Sequence, residues 1–249
     1  NWDGHGTACA GLAAAVAHGT GGVQGSGRGC SLLAVRIAYS ETVGGPWQTS
    51  NAIIASAIDW ARTSGAAIIS NSWGGGLASN AIVAAIDRAR GQGRGGLGCV
   101  VVVAAGNVFG PVEFPANLPG VLAVAASNEY DQAKTPDSAD GETWWGSCFG
   151  PEIDIAAPGV HNLTTDISGS GGYAAGNYAP AFNGTSSATP IVAGACGLIL
   201  SKRPNLEEGQ VRALITATAD KVGQFPYVGG RNDHMGAGRL NVLEAVRNA

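Results

Sequence analysis

Ser186 stands in the turn Asn183-Gly-Thr-Ser-Ser-Ala-Thr-Pro190, ahead of an apolar helical run. A serine hydroxyl is a weak nucleophile at neutral pH. It needs a base beside it and donors for the oxyanion that its attack creates. A Gly184-Thr185-Ser186 turn exposes Oγ, and a helix beginning there aims backbone N–H groups at developing negative charge. Pro190 is expected in the first turn of that helix, where its missing N–H costs little. The same residues also read as an ordinary capped helix start. His5, followed by Gly-Thr-Ala-Cys-Ala-Gly, is the candidate base, with Gly6 and Gly11 leaving room beside the imidazole; its plainer reading is a histidine at a helix end. Asn107 closes the run Val101-Val-Val-Ala-Ala-Gly-Asn107, which places an amide at the carboxyl end of a buried strand, where ligands sit in parallel sheets. That amide can donate to an oxyanion, although Gly-Asn is also common turn chemistry. His18, His161 and His234 lack a matching context and receive no role.

Holding three such distant groups together requires a layered scaffold. Short, β-branched, nearly continuous apolar runs at Leu32–Ile37, Ala67–Asn71, Val100–Ala105, Val121–Ala126 and Ile153–Ala157 predict strands buried on both faces. Helices are expected over Gly6–Ala17, Asn51–Thr63, Asn80–Arg90, Ser187–Lys202, Glu207–Ala219 and Leu240–Arg247. In the second, Ile53, Ile54, Ala57, Ile58 and Ala61 share one face, and Ser50 is its expected cap. Strand–helix alternation predicts an α/β fold of one domain, residues 1–249, with a mainly parallel sheet and right-handed crossovers. Ser168–Gly176 reads as a surface loop or hairpin.

Composition narrows the function. With 45% hydrophobic residues and a mean hydropathy of +0.12, a packed core is favoured. Glycine, 40 of 249 residues, is more than twice the usual ~7% and has no collagen period, so tight turns are implied. A net charge of -4 and the absence of a Lys/Arg run argue against a nucleic-acid partner. No apolar stretch reaches the ~18 residues of a membrane span. The five cysteines show no C-x-x-C spacing; Cys9 and Cys196 are expected to act as buried hydrophobes, and Cys30, Cys99 and Cys148 leave one disulfide open.

Taken together, HGTACAG at His5, NSWGGG at Asn71, VVVAAGN ending at Asn107, EFPANLPGVLAVAAS from Glu113, FGPEIDIAAPGV from Phe149, NGTSSATPIVAG around Ser186 and GAGRLNVLEAV near the C-terminus resemble the subtilisin-like serine protease (subtilase, peptidase S8) family, in the family's order over essentially the whole chain. The resemblance implies a three-layer α/β/α fold and a secreted or cell-envelope serine endopeptidase. Ser186 would be the nucleophile, His5 the base, and Asn107 with the Ser186 N–H the oxyanion donors. It also implies a polypeptide substrate bound as an added strand against Ser72, Trp73 and Gly74, with the loop near Trp47-Gln48 on the other side. Ala104, Ala105 and Gly106 would form another wall of the pocket, and Phe114-Pro115 falls where the family's X–Pro bond is typically cis. Glu113 falls at the pocket floor, where a carboxylate favours Lys or Arg before the scissile bond; a solvated loop glutamate is the other reading.

No cofactor is required for this chemistry. A structural calcium is the family's habit, but the loop His18-Gly-Thr-Gly-Gly-Val-Gln lacks the usual Asn. A weaker cation site could use Asp154 with backbone oxygens near Ala116, Leu118 and Val121, unless Asp154 is simply a cap. The family's triad aspartate lies on a strand ahead of the histidine. Only four residues precede His5, and Asp3 is too close in sequence to hold Nδ1–H, so Asp3 is expected to shape the cleft or cap the helix. The expectation is therefore an N-terminally incomplete domain whose aspartate strand comes from an upstream segment or propeptide, poorly active as it stands. The alternative is a protease-like peptide-binding module or inactive fragment.

Overall fold

The structure, a computed structural model, describes residues 3–17 and 21–249. His18, Gly19 and Thr20, which open the loop considered for calcium, lie outside the described residues. Four strands, β1 (Ile68–Asn71), β2 (Val100–Ala104), β3 (Leu122–Ser127) and β4 (Ile155–Pro158), form a parallel sheet in the order β1-β2-β3-β4. Registers such as Ile69↔Val101, Val103↔Ala123 and Ala125↔Ala156 hold it together. β2 and β3 are buried along their whole length, which is why their sequences are continuous rather than alternating.

The pleat divides those side chains between two cores. Val101 and Val103 of β2 face α2 (Asn51–Thr63) and α3 (Asn80–Gln92), against Ile54, Ile58, Ile82 and Ile86. Val100 and Val102 face the other way, against Val192 and Ile199 of α4 (Thr185–Lys202) and Val211 and Ile215 of α5 (Glu208–Ala217). The result is the expected three-layer α/β/α arrangement. α6 (Val242–Arg247) adds Ala245 to the second core. The remaining elements are α1 (His5–Ala14) and an antiparallel hairpin of β5 (Asn162–Gly169) and β6 (Gly176–Phe182), so Ser168–Gly176 is a hairpin connection. α1 lies on β5: Thr164 and Thr165 hydroxyls donate to the Ala8 and Thr7 carbonyls, and a Cβ at Gly11 would lie 2.3 Å from Thr165 Oγ1. Gly11 thus makes room for β5 rather than for the imidazole.

Helix starts follow their caps. Ser50 accepts from Ile53 N–H at the start of α2, Glu207 and Gln210 form a reciprocal capping box on α5, and Asn241 caps α6. Three expectations need correction. Leu32–Ile37 forms no strand and pairs with none among the described residues; Leu32, Leu33 and Val35 are 58%, 43% and 37% exposed. The outer edge of β1 is likewise unpaired among them. Ile53 is 48% exposed, and Ala55 takes its place on the buried face of α2. All five cysteines are free thiols, so no disulfide forms among Cys30, Cys99 and Cys148.

The burial of α2 sets its expected sensitivity. Ile58→Ala should cost about 2–5 kcal/mol by leaving a cavity under β1 and β2. Ile53→Ala, on the same helix, should stay within about 0.5 kcal/mol. Denaturant midpoints of the two variants check the pair; equal losses would contradict the assigned face.

Candidate active site

The sheet's carboxyl ends gather the groups that the sequence singled out. β1 runs out into Ser72, β2 into Ala105, Gly106 and Asn107, and the N-terminus of α4 brings Ser186 between them. α4 begins at Thr185, so Pro190 sits in the second turn rather than the first. Its missing N–H deprives the Ser186 carbonyl of an intrahelical donor. That carbonyl is taken up instead by Ser72 Oγ at 2.9 Å and by the Cys9 thiol at 3.5 Å. One backbone oxygen therefore ties the ends of β1 and α1 to the start of α4. Gly184, which leads into the helix, has φ 107, a conformation open to glycine and strained for other residues.

Asn107 is oriented by chemistry that leaves one choice. The Thr185 backbone N–H, which can only donate, lies 2.8 Å from Asn107 Oδ1, and Thr185 Oγ1 adds a contact at 3.0 Å. Thr185 Oγ1 in turn accepts from Gly106 N–H at 3.2 Å. With Oδ1 held, Nδ2 is the free end of the amide, beside the first turn of α4. The Ser186 N–H belongs to that same turn, between the Thr185 N–H, held by Asn107, and the Ser187 N–H, which donates to the Gly184 carbonyl at 2.9 Å. Two donors with a helix N-terminus behind them form a place for an oxyanion.

His5 opens α1. Its ring makes edge contacts with Trp47 at 4.9 Å and Phe182 at 5.5 Å, and lines a cleft of about 270 Å³ with Asp3, Ser40, Gly44, Gly45 and Tyr173. Burial without a charged partner pushes its pKa down to about 4, so the ring is neutral at pH 7 and a weaker base than an ordinary histidine. Nδ1 faces Cys9 Sγ at 3.8 Å. Burial raises the Cys9 thiol to about 11, so it is not a rival nucleophile. Ser186 Oγ donates to the Ser72 carbonyl at 3.1 Å, and what links Ser186 to His5 is Cys9, whose thiol faces the Ser186 carbonyl on one side and His5 Nδ1 on the other. Asp3 neither caps α1 nor reaches His5: its carboxylate is held by Arg36 at 2.8 Å and by the Ser40 hydroxyl and N–H.

Glu113 lies beside the glycines that flank β1 and β2. A Cβ at Gly106 would come within 2.4 Å of Glu113 Oε2, and one at Gly75 within 3.8 Å of Oε1. Gly75 N–H donates to the Phe114 carbonyl at 2.8 Å, and Phe114-Pro115 is cis. Trp73 packs on the β1-side core and donates to Asn71 Oδ1 at 3.2 Å. Asp154 accepts from Ala123 N–H at 2.9 Å, and Arg231 approaches to 4.0 Å. A carboxylate engaged by a strand N–H and a guanidinium is a poor cation ligand. No group of three His, Cys, Asp or Glu side chains that could hold a metal ion exists among the described residues.

The sequence missed Thr185 and Cys9 as site residues. Cys9 carries a signal, since i and i+4 share a helix face with His5. Thr185's role depends on a contact with Asn107 that spacing does not reveal.

The depressed His5 value fixes a pH effect. The contribution of its neutral ring to stability holds in full above the ordinary 6.5 and is lost as pH falls toward about 4. An NMR titration of the 249-residue chain should find this imidazole titrating near 4. A value at or above 6.5 would mean that the ring is solvated or faces a carboxylate.

Residues 1–238 match the family model described as "Subtilase family". The chain is 34% identical to thermitase of Thermoactinomyces vulgaris over 99% of its own length and 76% of that protein's. It is 37% identical to subtilisin DY of Bacillus licheniformis, covering 91% of this chain and 74% of that one. It is also 34% identical to a calcium-dependent protease of Nostoc sp., of which it spans 40% of the length. Among solved structures, a protease of Pseudoalteromonas arctica superposes with a TM-score of 0.78 at 28% identity, over 98% of this chain and 70% of that one. Fervidolysin of Fervidobacterium pennivorans, a keratinolytic enzyme, superposes with a TM-score of 0.76 at 28% identity, over 98% and 36%. With the family model covering nearly its whole length, this chain belongs to the subtilase family.

Proposed function

We propose that residues 1–249 form the catalytic domain of a serine endopeptidase. The observation that carries this reading is Asn107, whose Oδ1 is pinned by Thr185 while Nδ2 is left to donate beside the Ser186 N–H. Ser186 Oγ attacks the scissile carbonyl as His5 Nε2 takes its proton, and the oxygen gathers charge against Asn107 Nδ2 and the Ser186 N–H. His5 then gives that proton to the leaving amine as the C–N bond breaks. A water, deprotonated by the same ring, releases the acyl group. Oγ must first turn from the Ser72 carbonyl toward His5, a rearrangement in keeping with the loose catalytic hydrogen bonds of substrate-free sites.

The neutral imidazole also needs an orienting carboxylate at Nδ1, where Cys9 Sγ stands among the described residues. Asp3 is spoken for by Arg36 and Ser40. We assign that carboxylate to an upstream segment or propeptide. An extracellular or cell-envelope location goes with this reading; no helix among the described residues is long and apolar enough to cross a membrane. The name of the Nostoc relative points to calcium, but no step here is routed through a cation. The second reading, a module that grips peptides without cutting them, draws on the Ser186–Ser72 hydrogen bond, which leaves the nucleophile unengaged with its base.

A fluorophosphonate probe separates the two. The full-length protein should label at Ser186, Ser186→Ala should not, and Asn107→Ala should label about 10²–10³-fold more slowly. A full-length protein that stays unlabelled would leave the binding module.

Glu113 directs the choice of substrate. Its carboxylate lies beside Gly75 and Gly106, where a Cβ at Gly106 would come within 2.4 Å of Oε2. Peptides with Arg before the scissile bond should be cleaved about 10-fold or more faster than those with Leu, and Glu113→Gln should erase the difference. Equal rates for Arg and Leu in the unmodified protein would remove Glu113 from the pocket floor.

A further inference from the structure

A second polar cluster meets the turn that carries Ser186. Asn183 precedes Gly184, and its side-chain amide is held at both ends. Oδ1 accepts the His161 backbone N–H at 2.6 Å, and Nδ2 donates to Glu142 Oε1 at 2.6 Å. Gly184 N–H donates to the Gly159 carbonyl at 2.8 Å, and Asn162 Nδ2 to Ser187 Oγ at 2.7 Å. The entry to α4 is thus stitched to the 159–162 loop on both sides of Ser186.

Glu142 is itself buried and fully engaged. Its other oxygen, Oε2, accepts Trp145 Nε1–H at 2.5 Å, and its backbone N–H donates to Asp140 Oδ1 at 3.1 Å. Its carbonyl accepts from Lys134 Nζ at 2.5 Å. Lys134 and Asp140 form an ion pair at 2.9 Å with both side chains sealed from solvent. Burial opposes the Asp140 charge, yet donors from Ser138, Asn128, Lys134 and the Glu142 N–H bring its pKa down to about 2. A buried, fully bonded pair of this kind sets geometry more than it adds stability. Here it fixes the 134–142 loop whose last residue grips Asn183.

We propose that Glu142 is a positioning residue for Ser186: anchored by the Lys134–Asp140 pair, it clamps the Asn183 amide and so holds the Gly184–Ser186 turn in the shape that presents Oγ and the oxyanion N–H. This rests on the serine-nucleophile reading. Gly184 is the most pliable link in that turn, so its φ of 107 persists only as far as its neighbours are fixed. His161 completes the clamp. Its ring lies between Glu129 Oε1, 3.0 Å from Nδ1, and Glu142 Oε1, 3.3 Å from Nε2. The hydrogen bond to Glu129 and the charges of both carboxylates raise its pKa against the opposing effect of burial. The other charged groups lining the adjoining cavity, of about 640 Å³, are Asp131, Asp220 and Arg239; Arg239 pairs with both aspartates. The stabilisation from protonated His161 is complete below the ordinary value of 6.5 and is lost as pH rises through the raised one.

The test uses the full-length protein, a fluorophosphonate probe and NMR titration of His161. Glu142→Ala should lower the limiting rate of Ser186 labelling about 10-fold or more, with the half-saturating probe concentration unchanged. Glu142→Gln, which keeps an acceptor for Asn183, should restore most of that rate while lowering the His161 pKa. Glu129→Gln should lower the His161 pKa too, but leave labelling within about 2-fold, since Glu129 does not touch Asn183. Wild-type rates in both Glu142→Ala and Asn183→Ala would overturn the proposal. If Glu142→Ala fails to fold, Asn183→Ala alone decides it in the same way. A wild type that never labels overturns the nucleophile reading and the positioning role with it. A His161 pKa that still falls in Glu142→Gln would then show that the cluster exists, separating that failure from an error in the cluster itself.

Discussion

The carbonyl of Ser186 is the point on which the site turns. A helix normally consumes its own carbonyls, and this one would be consumed if residue 190 carried an N–H. Pro190 removes that donor, and Ser72 from the end of β1 and Cys9 from α1 supply replacements. Three segments far apart in sequence are thereby indexed to one atom of the residue that carries the hydroxyl. The Thr185 hydroxyl does similar work on the other side, accepting from Gly106 and donating to Asn107. The two contacts set α4 against the carboxyl ends of β1 and β2, and the alternating valines of β2 pack the layers that keep it there.

This indexing explains why the site is made of weak-looking parts. Among the described residues, the side-chain hydrogen bonds of Ser186 involve only neutral groups of Ser72 and Cys9. The half-buried His5 ring packs among Trp47, Phe182 and Cys9, and the side-chain donors to the Ser186 backbone are neutral. In a partly dry site, fixed neutral dipoles avoid the cost of burying an unpaired charge and still act on charge as it develops. The charged groups are kept one step back, in the Glu129–His161–Glu142 cluster and the sealed Lys134–Asp140 pair, where they shape backbone.

Much of this was legible in the chain. The continuous valines of β2, the Ser50 cap and the helix after Ser186 follow from local rules, and the motifs singled out His5, Asn107 and Ser186 as candidates. What escaped were features decided by tertiary partners. Leu32–Ile37 has a strand's composition, but a strand needs a neighbour, and composition does not report whether one is there. Pro190 looked like a first-turn proline because the helix start was placed two residues late. Ile53 fits the apolar face of α2 by spacing, yet at the helix end it reaches solvent. Glu142 and His161 offered no local pattern, since their meeting with Asn183 joins segments separated by dozens of residues.

The unpaired flank has a colloidal consequence. β1 presents an open row of backbone donors and acceptors among the described residues, and Leu32, Leu33 and Val35 leave greasy surface exposed. A net charge of -4 spread over 249 residues gives little repulsion to keep copies apart. An unpaired strand edge beside exposed apolar side chains is the kind of surface on which copies of a chain pair edge to edge.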